Sequence, residues 1–262
     1  NFPIFHVENG YMDVVLEFTQ ELPEPCEAFR SGSSENSVPS EAEFVCCGQI
    51  RRFQGKAAHS STPELGENAM LKMAAALPEP KPDFARFLCD FFPEGCYASL
   101  LPLEKDSRVK NDGPALPTTI VPTILKQDGK RVSINFNIRQ AFDIPNENIL
   151  AAFEQEKDVY HYEIHIKENL SPIFVDEHQP WLTRMKAAYE SYGKKCEFLP
   201  APGCTYAKMI PNFVSWGPVF PEDLDCAHME NEEISVDSFL LGAEIYTAYL
   251  YQEAILLGQK CT

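Results

Sequence analysis

The stretch Arg131-Val-Ser-Ile-Asn-Phe-Asn-Ile-Arg139 decides the fold. Its apolar side chains, at positions 132, 134, 136 and 138, alternate strictly with polar ones. A period of two predicts a β-strand that buries one face and leaves the other polar. Asp128-Gly129 comes just before it and predicts a hairpin turn into this strand.

Further strands and a helix are predicted on both sides of this stretch. Tyr11 to Gln20 and His161 to Lys167 alternate as well, and the apolar residues of the second, Ile166 included, are expected to face the core. Asn146 to Lys157 predicts a helix, whereas the Pro-, Ser- and Glu-rich segment Glu21 to Glu43 predicts a loop. This order predicts an α+β layer with helices on one face of an antiparallel sheet.

A second informative stretch surrounds His59: Gly55-Lys-Ala-Ala-His-Ser-Ser-Thr-Pro-Glu-Leu-Gly-Glu-Asn-Ala69. Phe44 to Ala57 predicts a strand, and Pro63 to Leu77 predicts a helix capped by Thr62. Small residues let another surface approach the imidazole, and a helix start offers unpaired backbone N–H groups beside it. The pattern favours a histidine that is presented to a ligand.

The character of the sequence changes near residue 171. Pro180 to Tyr192 predicts a helix, Phe213 to Phe220 a buried strand, and Ile234 to Leu257 a long amphipathic helix capped by Ser235 or Asp237. This portion is expected to be part of an α/β layer whose remaining strands the chain does not contain.

Composition narrows the class of function. Lys and Arg total 22 against 39 Asp and Glu, a formal charge of −17 that disfavours binding to nucleic acid or to an anionic membrane. No apolar run approaches the length of a membrane span. The nine cysteines include no CxxC pair, which argues against a disulfide framework and predicts a reducing, cytoplasmic location.

Several residues could carry chemistry. His228, between a predicted strand and a helix start, is either a metal ligand or acid/base group, or a solvated loop histidine. Arg139 could hold a carboxylate bidentately or form a surface ion pair. Cys204 could act as a nucleophile with His228 as base, but a partly buried, inert thiol is the favoured interpretation. His161 and His165 would lie about 13 Å apart along a strand, too far to share one metal.

Taken together, five segments resemble the zinc aminoacylase and carboxypeptidase superfamily, most closely its dipeptidase-V-like (Xaa-His dipeptidase) branch. Asn1 to Gly10 resembles a strand that leaves the catalytic domain of that branch, and Gly55 to Ala69 resembles its GxxAHxSxPxxGxNA motif. Ile134 to Gln140 resembles a lid strand ending in IR, and Gly203 to Lys208 resembles a GGTYAR turn. Phe213 to Glu232 resembles a motif that contains FP and xHxxNE.

The resemblance implies roles for individual residues. His228 is similar to a ligand of a two-zinc centre, and His59, on the lid, to the histidine that stabilises the tetrahedral oxyanion. Arg139 and the turn from Gly203 to Thr205 are similar to the groups that hold the carboxylate of a dipeptide or acyl-amino-acid substrate. The family's reaction is attack of zinc-activated water on a peptide bond, with a carboxylate as general base.

The resemblance also implies a domain plan. Residues 1–10 would be a remnant of a catalytic-domain strand, 11–172 a lid (dimerisation-like) domain, and 173–262 the C-terminal part of the catalytic domain. The lid would contain two repeated units, 11–101 and 102–172. The general base and the other zinc ligands would lie in an N-terminal half that is missing here, which predicts an incomplete zinc site and a chain that is inactive alone. In other branches the lid forms a homodimer.

Four positions depart from the family pattern. Cys204 replaces a glycine, Lys208 an arginine and Met229 a glutamine, while Ile120 stands where the branch has a substrate-binding asparagine. These changes predict altered specificity or leave open a second function. That alternative is a non-catalytic peptide-binding or interaction module that keeps the lid scaffold.

Overall fold

The computed structural model describes residues 1–19, 26–93, 118–142, 144–201, 203–224, 226 and 231–260. They form two compact units, which are treated separately. The large unit comprises residues 9–172 and 202–204, and the small unit comprises residues 1–8, 173–201 and 205–262. The predicted division of the lid near residue 101 falls outside the described residues and stays a prediction.

A seven-stranded antiparallel sheet is the framework of the large unit. In spatial order its strands are β5 (Gln49–Gln54), β4 (Glu41–Cys46), β3 (Cys26–Ser31), β6 (Thr119–Asp128), β7 (Arg131–Arg139), β2 (Tyr11–Phe18) and β8 (Tyr162–Leu170). The predicted strand from 131 to 139 is therefore β7, and the predicted turn at 128–129 joins it to β6.

Three helices supply the other half of the core of the large unit: α1 (Ala69–Ala76), α2 (Asp83–Phe91) and α3 (Asn146–Tyr160). Phe87 of α2 lies at its centre, with seven aromatic rings at centroid distances of 4.9 to 6.4 Å. The apolar residues of β7 contribute to this core, because their alternation places all of them on one face. This matches the expected α+β layer.

Several local predictions for the large unit were wrong. The segment from 44 to 57 is a hairpin, β4 and β5, because Cys47 and Gly48 both have positive φ, 52° and 70°. The predicted loop from 21 to 43 contains β3 and the start of β4. On β8, Ile166 is exposed rather than in the core: it pairs with the buried Val14, but β8 is an edge strand of the sheet.

The predicted helix from 63 to 77 is interrupted. A short 3₁₀ helix, Pro63–Leu65, is followed by extended chain, and α1 then begins after Asn68. The Asn68 side chain accepts hydrogen bonds from the amides of Met70 and Leu71, whereas Thr62 makes no side-chain cap bond. Asn68 is therefore the effective N-cap.

The small unit is built on a short sheet in which β1 (Ile4–Glu8) pairs with β9 (Ile173–Phe174), β10 (Phe198–Ala201) and β11 (Ser215–Trp216). Two helices complete it, α4 (Pro180–Glu190) and α5 (Val236–Lys260). Of the predicted strand from 213 to 220, the two residues Ser215 and Trp216 form a strand, β11. Ser235 caps α5, since its hydroxyl accepts a hydrogen bond from the amide of Ser238 at 3.0 Å.

Two general properties bear on the class of protein. The cysteines whose state the structure describes, at positions 46, 47, 89, 196, 204 and 226, are free thiols. Within the described ranges, no helix combines the length and apolar character needed to cross a membrane.

Candidate functional site

His59 lies in an exposed turn that follows β5. Its Nδ1 lies 2.7 Å from the Ser61 hydroxyl and accepts a hydrogen bond from the Ser61 amide at 3.2 Å. A backbone N–H can only donate, so Nδ1 acts as the acceptor and the neutral ring carries its proton at Nε2. An Nε2–H donor is the form needed to stabilise an oxyanion.

The turn is fixed by Ser60, which is fully buried. Its amide donates to the carbonyl of Asn36 at 2.9 Å, and its carbonyl accepts from the Thr119 hydroxyl at 3.1 Å. Its own hydroxyl donates to Asn137 Oδ1 at 2.7 Å. These three hydrogen bonds hold Ser60 in place and therefore restrict the position of the adjacent residue, His59.

Arg139 ends β7 and is only 5% exposed. Its Nε donates to Asn137 Oδ1 at 3.1 Å, and its guanidinium lies 4.5 Å from the centre of the Tyr11 ring. Burial lowers the pKa of Arg139, yet a guanidinium keeps its charge at neutral pH. None of the carboxylates in the described part of the chain lies within ion-pair distance of it.

The polar face of the sheet near Arg139 is ordered by a buried carboxylate. Asp13 Oδ1 accepts hydrogen bonds from the amide nitrogens of Asn135 and Asn137, both at 3.2 Å. Its Oδ2 accepts from the Tyr11 hydroxyl at 2.6 Å. Desolvation and this acidic partner raise the pKa of Tyr11, so the phenol stays protonated.

The position of Ile120 corrects one expectation from the sequence. Ile120 pairs with Ile138 and lies in the hydrophobic core, on the sheet face opposite Arg139. Its neighbour Val121 pairs with Asn137 and thus lies on the polar face. A polar side chain at position 120 would point into the core. Isoleucine in place of asparagine at this position therefore removes no contact from the candidate site.

Gly203 and Cys204 of the predicted carboxylate-binding turn belong to the large unit, as Arg139 does. The Cys204 thiol is close enough to influence the pKa of Arg139 electrostatically. Apart from Gly203 and its chain neighbours, no heavy atom of the described residues lies within 4 Å of the place where a Cβ on Gly203 would sit. The backbone at Gly203 is therefore open to a ligand.

At its other end the turn is tied to Glu8, a fully buried residue at the end of β1. Glu8 accepts hydrogen bonds from the Thr205 amide at 3.1 Å and from the Thr205 and Ser215 hydroxyls, each at 2.6 Å. Lys208 Nζ lies 3.9 Å from the same carboxylate, and both side chains are 1% exposed. Both donors of Thr205 are thus already bonded to Glu8.

Sequence reasoning missed Glu8 and Asp13. Glu8 is a buried acidic residue at the end of β1, and Asp13 is a buried acidic residue on β2, directly opposite Asn137. An acidic residue inside a buried strand needs donors, and the asparagines of β7 are the matching signal. His228 and Met229 lie outside the described residues, so the proposed metal ligand and the Cys204–His228 pair stay predictions.

The described residues do not by themselves make up a metal site. Across the described ranges, no three His, Cys, Asp or Glu side chains are grouped closely enough to hold an ion. Of the other histidines, His6 bonds to the carbonyl of Val175, His161 to Asp83 and His178 to Asp176. Their described partners are protein groups of the local fold.

Sequence comparison yields dipeptidase relatives. The chain is 24% identical over 295 aligned positions to YtjP of Bacillus subtilis (strain 168), a protein provisionally named a dipeptidase, with 97% of this chain and 62% of that protein covered. A dipeptidase homologue of Staphylococcus saprophyticus is 26% identical, with 94% of this chain and 50% of that protein covered. The chain therefore spans about half to three fifths of the length of these relatives.

Structural comparison and a family profile complete the assignment. Aminoacylhistidine dipeptidase from Vibrio alginolyticus superposes with a TM-score of 0.57 at 13% identity, covering 95% of this chain and 62% of that one. An M20 family metallo-carboxypeptidase from Sulfolobus solfataricus also gives 0.57, at 12% identity, covering 94% and 59%. At such identities these matches show the fold alone. The profile of peptidase family M20/M25/M40 matches residues 8–252, and the chain belongs to that family.

Proposed function

We propose that this chain is part of a zinc-dependent dipeptidase of the dipeptidase-V-like branch, and that it is inactive without further polypeptide. In this proposal Arg139 and the backbone at Gly203 bind the C-terminal carboxylate of a short peptide or acyl-amino acid. His59 donates its Nε2–H to the oxyanion. Thr205 contributes by anchoring the turn to Glu8 rather than through a free donor.

The observation that carries the proposal is the buried guanidinium of Arg139. A buried charge without an anionic partner is costly, and no described carboxylate pairs with it. A carboxylate ligand would supply the missing partner and could accept two parallel hydrogen bonds. The open backbone at Gly203 supports an approach of the ligand from this side.

Zinc is part of the proposal because the chain belongs to peptidase family M20/M25/M40 and because His228 resembles a zinc ligand of the superfamily. When bound, the metal would supply the activated water, and His228 would be one of its ligands. The remaining ligands and the general base would come from polypeptide beyond the described residues. The predicted lid and catalytic-domain boundaries, the cytoplasmic location and a possible homodimer belong to the same proposal.

Kinetics of the whole protein test the carboxylate site. Arg139→Lys should raise KM for a dipeptide about 10- to 100-fold, because a charge-assisted bidentate pair is lost. Arg131→Lys, at the exposed start of the same strand, is the matched control and should leave KM unchanged. A dipeptide with an amidated C-terminus should bind equally poorly to the wild type and to Arg139→Lys.

The opposite outcomes would overturn specific parts of the proposal. Equal KM values for Arg139→Lys and Arg131→Lys would remove Arg139 from the substrate site. Zinc content that is unchanged by His228→Ala would remove His228 from the metal site. Calorimetric binding of dipeptides by a whole protein that never hydrolyses them would favour the non-catalytic module, and thiol alkylation that leaves activity intact would exclude Cys204 as nucleophile.

A further inference from the structure

A single side-chain amide oxygen links Arg139 to Ser60, the neighbour of His59, and the proposed function places Arg139 and His59 on the substrate. Asn137 is fully buried on β7. Its Oδ1 accepts one hydrogen bond from the Ser60 hydroxyl at 2.7 Å and another from Arg139 Nε at 3.1 Å. The first bond fixes the turn that carries His59, and the second fixes the guanidinium.

Asp13 determines which way the Asn137 amide points. The two ends of an asparagine amide have nearly the same shape, so its orientation depends on its partners. Asp13 Oδ1, 3.2 Å from Asn137 Nδ2, accepts but cannot donate. A flipped amide would turn its oxygen toward this carboxylate and its NH₂ group toward the Arg139 N–H, giving two repulsive contacts in place of two attractive ones.

Asp13 is itself held in place. Its other oxygen accepts the Tyr11 hydroxyl at 2.6 Å, and the ring of Tyr11 lies under the Arg139 guanidinium. Tyr11, Asp13, Asn137 and Arg139 therefore form a closed ring of contacts. In a buried network of this kind, each polar group depends on the orientation of the others.

We propose that Asn137 is a positioning residue that sets the His59 turn and Arg139 relative to each other, with Asp13 fixing the direction of its amide. This inference rests on the proposed function only in assigning His59 and Arg139 to the substrate. Asn137 acts through these two residues and makes no contact with the reacting atoms.

The chain itself offers a matched control. Asn135 lies two residues earlier on the same face of β7 and donates to the same Asp13 oxygen at the same distance, 3.2 Å. Its remaining bonds go to Thr123 and Lys167, and none goes to Ser60 or Arg139. Asn135→Ala thus removes a comparable buried amide without removing the shared acceptor.

NMR of the chain labelled with ¹⁵N-arginine and ¹⁵N-histidine tests the geometry without any assay of activity. Asn137→Ala should shift the Arg139 Nε–H signal and the His59 ring signals together, and should speed exchange of the Nε–H proton at least tenfold. Asn135→Ala should leave both residues near their wild-type shifts. If only one of the two residues responds, or if Asn135→Ala has the same effect, the inference is overturned.

A double variant that exchanges the side chains at positions 13 and 137 distinguishes a loss of positioning from misfolding. Asn137→Asp alone places two carboxylates face to face and should disturb both signals. The double substitution Asp13→Asn with Asn137→Asp restores one carboxylate opposite one amide and should return both signals toward wild type. Failure of this rescue, in a variant whose circular dichroism is native, would contradict the positioning role.

Kinetics of the whole protein then separate the two proposals. A misplaced binding group of this kind should lower kcat/KM about 100-fold in Asn137→Ala, whereas Asn135→Ala should leave it near the wild-type value. If the NMR results hold but no variant changes peptide hydrolysis, the positioning role stands and the substrate roles of His59 and Arg139 are wrong.

Discussion

The large and small units differ in where their large apolar side chains lie. In the large unit, exposed ones are scattered over separate elements, such as Ile50 on β5 and Val159 on α3. In the small unit, eight lie on α5 alone, and Tyr206 in the 3₁₀ helix Tyr206–Met209 is 91% exposed. Scattered apolar residues are ordinary, but a concentration of them marks an interface. The large unit thus closes its own core, whereas the small unit supports the proposal that further polypeptide packs on it.

The core of the large unit should give the largest effect. Phe87→Ala should lower the free energy of unfolding by about 3–5 kcal/mol, because it removes a fully buried ring surrounded by other rings. Urea unfolding followed by far-ultraviolet circular dichroism measures this. The control is Phe239→Ala in the small unit, on an exposed ring of α5, which should change the value by no more than about 0.5 kcal/mol. Similar losses of unfolding free energy in the two variants would contradict the contrast between the closed core of the large unit and the exposed apolar surface of α5.

The small unit should prove sensitive at its buried ion pair rather than on its surface. Glu8→Gln removes the charge of one partner of the buried Glu8–Lys208 ion pair and should cost up to about 3–5 kcal/mol. Both tryptophans of the chain, at positions 181 and 216, lie in this unit, so tryptophan fluorescence during unfolding reports on it.

A second substitution distinguishes charge from shape at this pair. Adding Lys208→Met to Glu8→Gln removes the other charge of the pair as well and should recover part of the lost stability. If the double variant is less stable than Glu8→Gln alone, Lys208 acts through packing, and the electrostatic account of this turn is wrong.

The sequence predicts some elements of both units well and others poorly. Long segments such as β7, α3 and α5 were predicted as strand or helix correctly, because a sustained apolar period distinguishes the two. The hairpin of β4 and β5 was missed, since its turn residues, Cys47 and Gly48, do not form one of the common turn pairs. Ile166 is exposed against its local pattern because β8 lies at the edge of the sheet, and strand order cannot be read from periodicity.

The sequence suggests positions for the candidate site but not the contacts between them. The pattern around His59 favours a histidine presented to a ligand, and the family resemblance implies that Arg139 holds a carboxylate; both roles stay predictions. The structure adds that Ser60 and Asn137 link the two positions. Ser60 and Asn137 are 77 positions apart. Contacts of that kind depend on strand order, which periodicity does not reveal. The burial of Glu8 depends in the same way on the distant residues Thr205 and Ser215.

A smaller effect should separate the two candidate caps near the start of α1. Asn68→Ala removes an acceptor for two backbone amides and should lower the free energy of unfolding by about 1 kcal/mol. Thr62→Ala is the control, because its side chain makes no cap bond and its loss should cost no more than about 0.5 kcal/mol. If Thr62→Ala lowers the free energy of unfolding more than Asn68→Ala does, the result would favour the continuous helix, capped by Thr62, that the sequence predicts.

The surface of α5 should give the smallest change in stability and the clearest change in association. Leu250→Gln and Tyr251→Gln alter exposed side chains, so each should shift the free energy of unfolding by no more than about 0.5 kcal/mol. Ile245→Gln, on the same helix but fully buried, is the control and should destabilise strongly. If the exposed face is an interface, the two surface variants should reduce self-association in light scattering. Unchanged association together with unchanged stability would mean that this face does not join two copies of the chain, which leaves further polypeptide as its proposed partner.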